Sequence, residues 1–234
     1  MSSVTLTLTG KGSLLSANFH PEIELNERFS YSCCLLDFHT YNSIPNVHRN
    51  NNKFYFSLGE ASKYKFEEIA IPVGSYEVSE IGTFLIKAFG EIGVSFSFHA
   101  NRNTLKCEIS TDLIIDFMRG DCIGPLLGFG KRLLKNHETY LSDEVVKINQ
   151  LNTIRIDCDL TYGSKCTHTI HEFSPYMNSV HRLVLDEKPS NLIYLPITKR
   201  RINTINISIV DQNGDSIDLR GETITCRLHI KRDI

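Results

Sequence analysis

The 234-residue sequence predicts an all-β chain, a β-sandwich or jelly roll with one short helix. Three observations predict it. Apolar and polar residues alternate with period two through much of the chain, as in VTLTLT at 4–9. Alanine occurs only at Ala17, Ala61, Ala70, Ala88 and Ala100, while Ile, Thr, Phe and Tyr are plentiful, a composition that favours sheet. Strand candidates number about ten to twelve and recur at short intervals, which suits a sandwich better than an α/β plan.

Residues 4–9 form the first strand, a second lies near Glu22 to Leu25, and a longer one runs through FSYSCCLLDFHTY at 29–41. NSIPNVHRNNN is a loop, after which NKFYFSL and YKFEEIAIPVGSY are strands separated at Gly59. Pro72 and Gly74 stop extended structure. In SEIGTFLIKAFGEIG, Ile81, Phe84, Leu85, Ala88 and Phe89 share one face at helical spacing, with Ser79 as N-cap and Gly90 or Gly93 as the stop. The spacing predicts a helix over 79–90. A helix of about three turns is too short to stand alone and must lie against the sheet. VSFSFHA and TLKCEIS form a hairpin around NRN, and DLIIDFM adds a strand before the compact segment CIGPLLGFGKRLL. Residues 153–160 pair with 165–172 around Tyr162-Gly163, and strands follow near 181–185 and 192–195. The chain closes on INISIV and TITCRLHI, read as a hairpin whose Asn213-Gly214 pair supplies the positive φ angles of a tight turn. No Pro/Ser/Gly-rich spacer, charge block or internal repeat divides the sequence, so one domain over 1–234 is expected.

Twenty-five basic against 27 acidic residues give a formal net charge of −2 and a pI near 6.5, which argues against wholesale neutralisation of nucleic-acid phosphates. The one basic run, Lys199-Arg200-Arg201, is too short for a binding patch and reads as a solvated loop. The N-terminal MSSVTLTLTG has no basic region before an apolar core, and no segment approaches the length of a membrane span. The expectation is a chain that is neither secreted by a signal peptide nor membrane-spanning. Its seven cysteines contain no CxxC and read as reduced core thiols.

Four stretches carry candidate chemistry. From Asp211, the loop places Asp, Asn, Asp and finally Glu222 at the calcium-ligand positions of an EF-hand. Ser216 stands where that loop needs glycine, and strands rather than helices flank it, so a turn is expected instead of an ion site. Cys158, Cys166, His168 and His171 offer zinc-binding types, but their spacing and strand alternation oppose closure around one ion. Arg119-Gly120-Asp121 is the integrin-binding tripeptide, here squeezed between apolar segments that suggest a tight turn. Asn206-Ile207-Ser208 is a sequon inside a predicted strand. The chain lacks GxSxG, HExxH and any glycine-rich phosphate loop, so the reading is a non-enzyme without cofactor or metal.

Ordered motifs go further than composition. IAIPVGSYEVSEIGTFL (69–85), IGPLLGF (123–129), NTIRIDCDLTYGS (152–164), HTIHEFSPY (168–176), NLIYLPI (191–197) and VDQNGDSIDLRGETITCRLHI (210–230) resemble, in this order, the penton or minor capsid proteins of Maverick/Polinton elements and adintoviruses. The resemblance implies a single jelly-roll protein of the virion. It would form homopentamers at the five-fold vertices of an icosahedral shell, with a double jelly-roll major capsid protein as partner and a vertex fibre or receptor as a further one. It implies no catalytic residues, no membrane and no sequence-specific nucleic acid. Gly74, Gly128, Asp211, Gln212, Gly214, Gly221 and Glu222 match its recurring motifs and read as architectural. Gly74 and Gly214 would provide turns, and Asp211 and Glu222 would accept hydrogen bonds from backbone donors. Arg119, Gly120 and Asp121 fall outside those motifs and stand as a separate receptor-binding candidate. Taken without the resemblance, the sequence fits equally a non-catalytic sandwich that binds carbohydrate or protein.

Overall fold

The computed structural model describes residues 2–58, 65–148, 151–161, 168–175 and 184–233. In chain order these form β1 (Ser3–Lys11), β2 (Leu14–Glu24), β3 (Tyr31–Tyr41), β4 (Lys53–Ser57), β5 (Glu67–Ala70), α1 (Val78–Glu91), β6 (Phe96–Asn101), β7 (Lys106–Thr111) and β8 (Ile114–Asp116). There follow β9 (Leu133–Leu134), β10 (Glu138–Leu141), β11 (Ile154–Cys158), β12 (Thr169–Phe173), β13 (Val184–Glu187), β14 (Leu195–Pro196), β15 (Arg201–Val210) and β16 (Thr223–Arg232). Among the described residues every regular element except α1 is a strand, as the alternation predicts.

Two compact units share the chain, Met1–Ile44 with Leu151–Ile234 as one and Pro45–Gln150 as the other. Setting aside the two-residue β14, which adds a fifth strand to the first sheet by pairing β3, the first unit holds two four-stranded arrays, β1-β16-β3-β13 and β12-β11-β15-β2. Numbering these eight strands by their order among themselves, the sheets read 1-8-3-6 and 5-4-7-2. This is the jelly-roll arrangement of two antiparallel sheets with Greek-key connections. Inward residues of both sheets make one core: Ile202, Ile205, Ile207 and Ile209 from β15 with Ile224, Cys226, Leu228 and Ile230 from β16.

The second unit is the stretch of chain between β3 and β11. It contains the sheets β10-β7-β6 and β5-β4-β8-β9 and the helix. Its core gathers Phe54, Phe89, Phe96, Phe117 and Phe129 with Ile81 and Leu85. Helix α1 buries Ile81, Leu85 and Phe89, the face that its spacing predicted. It lies so close to β6 that a Cβ on Gly82 would sit 2.3 Å from the Phe98 ring.

Several elements depart from their sequence readings. The N-cap of α1 is Glu77, not Ser79, because Glu77 and Glu80 form a reciprocal capping box in which the Glu80 carboxylate accepts the Glu77 N–H at 2.6 Å. Ser79 lies inside the first turn, where its carbonyl accepts the Thr83 hydroxyl. Strand β2 is far longer than the Glu22 to Leu25 segment. As an edge strand it tolerates Pro21, and the irregular register opposite Ile202 and Thr204 hides its alternation. Strand β10 was missed, since ETYL carries too short a pattern to read without its partner β7. The largest correction concerns the closing pair. Strands β15 and β16 do not form a hairpin, because each is hydrogen-bonded within a different sheet and 211–222 crosses between them. The β11–β12 pair is antiparallel as expected, whereas Gly59 and Tyr162-Gly163 lie outside the described residues.

Candidate functional site: the motif loops and the outer sheet face

The 211–222 connection is two successive turns. Asp211 Oδ1 accepts the amides of Asn213 at 2.7 Å and Asp215 at 2.9 Å, while the Gly214 N–H donates to the Asp211 carbonyl at 3.1 Å. This is an Asx turn, in which the carboxylate replaces backbone acceptors. Gly214 takes φ 94° with open space around its Cα, so glycine is needed there for conformation alone. Val210 bridges Ser216, and the chain then turns again at Arg220 (φ 53°) and Gly221 (φ 77°). Glu222 enters through its N–H, which donates to the Leu219 carbonyl, and the Gln212 side chain accepts the Asn152 amide at 3.2 Å. With its Asp211 oxygen committed to two amides, the loop should bind no calcium in millimolar titration calorimetry. Gly214→Val should lower unfolding stability by about 1–3 kcal/mol in urea, because a β-branched residue resists positive φ. Calcium binding abolished by Asp211→Ala would defeat the turn reading.

Gly74 has a different reason from the one expected. It forms an antiparallel bridge with Val47, donating to and accepting from that residue at 3.0 Å, and a Cβ there would lie 2.9 Å from the Tyr76 ring. It permits a close approach and supplies no left-handed turn. Gly128, within IGPLLGF, does take φ 83°, and its Cβ position is filled by the Glu144 carbonyl oxygen.

Arg119-Gly120-Asp121 is a tight turn after β8, and both charged groups are held by the chain itself. Arg119 Nε donates to Asp116 at 3.1 Å, and its guanidinium lies 4.1 Å from the Tyr55 ring centroid. The Tyr55 hydroxyl donates to the Asp121 carboxylate at 3.1 Å. Burial and then this carboxylate raise the Tyr55 phenol above its usual value, so it remains the donor. One tyrosine thus clamps both ends of the tripeptide, an arrangement unlike a free guanidinium and carboxylate offered to a receptor.

Among the described residues the zinc candidates are not gathered around one point. Cys158 is buried in the sandwich core, His168 Nδ1 lies 2.7 Å from the Thr161 carbonyl, and His171 Nε2 lies 2.9 Å from Glu187. Cys166 falls outside the described residues. Six cysteines are buried free thiols. Burial pushes Cys107, Cys158 and Cys226 up to about 12 and raises Cys33, Cys34 and Cys122 as well. Burial thus disfavours the thiolate form at each of these positions.

The basic run is also internally paired. Lys199 meets Asp159 at 2.8 Å, Arg200 donates to the Phe29 carbonyl at 2.8 Å, and Arg201 lies 3.7 Å from Glu22. Asn206 of the sequon is on β15 with its amide and side chain bonded to Asp159.

What the jelly roll does present is the polar outer face of its β1-β16-β3-β13 sheet. Sequence reading did not single this face out, although the alternation of β16 carries it: Thr225, Arg227, His229 and Lys231 point away from the core. Arg227 pairs with the buried Asp37 of β3. Tyr194 lies 2.8 Å from His229 Nδ1, and Lys231 sits 3.7 Å from the Tyr194 ring centroid. These contacts tie neighbouring strands together. No helix is long and apolar enough to cross a membrane among the described residues.

No protein-family model and no curated protein sequence matches the chain. Among solved structures, the chain is similar to the mavirus penton protein, with a TM-score of 0.52 at 14% identity over 100% of both chains. The fold is therefore penton-like over its whole length.

Proposed function

We propose that this chain is a structural minor capsid protein, the penton of an icosahedral virion, and that it acts without catalysis or cofactor. The observation that carries this reading is the whole-length likeness to the mavirus penton protein, in which both units of the chain are matched. The ordered motifs from 69 to 230 support the finer assignment to the Maverick/Polinton and adintovirus pentons. In this reading the chain works as a single jelly-roll capsid domain, with 45–150 as an insertion between β3 and β11. Five copies close a ring through a heterologous interface, the only kind that five-fold symmetry admits. The ring occupies a vertex of a shell whose faces are a double jelly-roll major capsid protein. An obligate contact of this type buries on the order of 2,000 Å² or more and is substantially apolar, so the ring should tolerate salt.

Light scattering on the purified protein across concentration, with and without co-expressed shell protein, tests the ring. The expected mass is a multiple of five chains that persists in high salt. A chain that never assembles in fives and also fails to enter co-expressed capsids would sink the reading.

A further inference from the structure

The sequence contains a single Asn-Gly pair, Asn213-Gly214, and the fold places it in the first turn of the 211–222 connection with both residues exposed. Such a pair carries its own chemistry. The amide nitrogen that follows an asparagine can close a succinimide ring onto the side-chain Cγ, and glycine leaves that nitrogen unshielded and its backbone free to swing. Nothing lies within 4 Å of the position a Gly214 Cβ would take, so the ring has room to form.

We propose that Asn213 converts by itself to aspartate and isoaspartate through a succinimide, at a rate held down by Asp211. The Gly214 nitrogen bonds to Asn213 Cγ and gives up its proton, and the side-chain amide nitrogen leaves with a proton as ammonia. Water then opens the ring at one of its two carbonyl carbons. It breaks either the new bond, leaving aspartate, or the original peptide bond, leaving isoaspartate. Nothing is oxidised or reduced, and water is the sole co-reactant.

The Asx turn restrains both reacting groups. Asp211 Oδ1 accepts the Asn213 N–H at 2.7 Å, Asn213 Nδ2 donates to Asp211 Oδ2 at 3.4 Å, and the Gly214 N–H is engaged by the Asp211 carbonyl at 3.1 Å. Ring closure must loosen these bonds, so Asp211 is a positioning residue that slows it. The outcome runs one way. The donor beside Asp211 becomes a carboxylate, which sets like charges together, and isoaspartate inserts a methylene into the backbone of the turn. The loop joining β15 of one sheet to β16 of the other thus changes irreversibly as the protein ages, whether or not the chain assembles into capsids.

A second turn supplies the control. Asn101 Oδ1 accepts the amides of Asn103 at 2.9 Å and Thr104 at 3.1 Å, so Asn103 holds the corresponding place in an exposed Asx turn, followed by β-branched Thr104 instead of glycine.

Peptide mapping by mass spectrometry on the folded full chain, aged in mildly alkaline buffer, tests the proposal. Asn213 should convert to a mixture of isoaspartate and aspartate while Asn103 stays intact, and water enriched in heavy oxygen should label both products. Gly214→Ala should slow the conversion. Asp211→Ala should speed it roughly tenfold or more, the worth of a hydrogen bond to a charged group, and Asp211→Asn, which keeps an Oδ1 acceptor, should restore a slow rate. Circular dichroism confirms that each variant folds. Wild type in urea, where the turn is lost, should also convert faster than folded wild type. No conversion at Asn213, equal conversion at Asn103, aspartate as the sole product, or a rate unchanged both by Asp211→Ala and by urea would each overturn the proposal.

Discussion

Gly128→Val is expected to destabilise the protein by about 3–6 kcal/mol, combining left-handed backbone strain with overpacking. Gly128 holds φ 83°, and the Cβ of any other residue would lie 2.3 Å from the Glu144 carbonyl oxygen and 3.1 Å from that of Val145. Those oxygens belong to backbone that has nowhere to go. The Glu144 amide donates to the Gly128 carbonyl at 2.9 Å, and the Lys147 amide donates to the Leu126 carbonyl at 2.9 Å, so IGPLLGF and 144–147 are laced together on both sides of the glycine. Gly12→Val is the control. It has φ 85° with nothing within 4 Å, and should lose only the conformational part, about 1–3 kcal/mol. Urea unfolding monitored by circular dichroism checks both, and equal losses at the two positions would refute the steric account.

Phe54→Ala should cost about 3–5 kcal/mol through the cavity it leaves in the 45–150 unit. Phe54 is fully buried, with edge-on contacts to Phe89 at 5.6 Å, Phe96 at 5.8 Å and Phe117 at 5.6 Å between ring centroids. These three rings come from the helix, from β6 and from the turn after β8, so one side chain joins three parts of the unit. Phe54→Leu retains most of the volume and should cost clearly less. Chemical unfolding of both variants would settle the order, and a Phe54→Ala loss below about 1 kcal/mol would mean that the site collapses around the vacancy.

The functional readings were legible to different depths. The Asx turn could be anticipated because Asp-x-Asn-Gly is local chemistry, with Asp211 bonding amides two and four residues away. The Tyr55 clamp on Arg119 and Asp121 was not, since Tyr55 is more than sixty positions from the tripeptide and nothing in either segment names the other. The role of Gly74 is hidden for the same reason: its bridge partner, Val47, is separated from it along the chain by β4 and β5. That β1 pairs with β16 alone among the described residues is invisible in sequence, because VTLTLT reads identically whether a strand has one neighbour or two.

By itself, the sequence determined which segments are extended, which face of each is apolar and where the one helix lies. These are short-range consequences of side-chain period, and they hold for α1, β1, β3, β6, β7, β15 and β16. Only the tertiary structure decided which strands become neighbours. INISIV and TITCRLHI are joined by a turn-forming loop, and each alternates cleanly enough to pair with the other. Yet β15 lies between β11 and β2, while β16 lies between β1 and β3. Buried in the middle of a sheet, each gains two hydrogen-bonded partners and sets its isoleucines against the opposite sheet, whereas a two-stranded hairpin would leave one edge of both unpaired. That preference is a property of all eight strands closing one core, and so it cannot be read from any two of them.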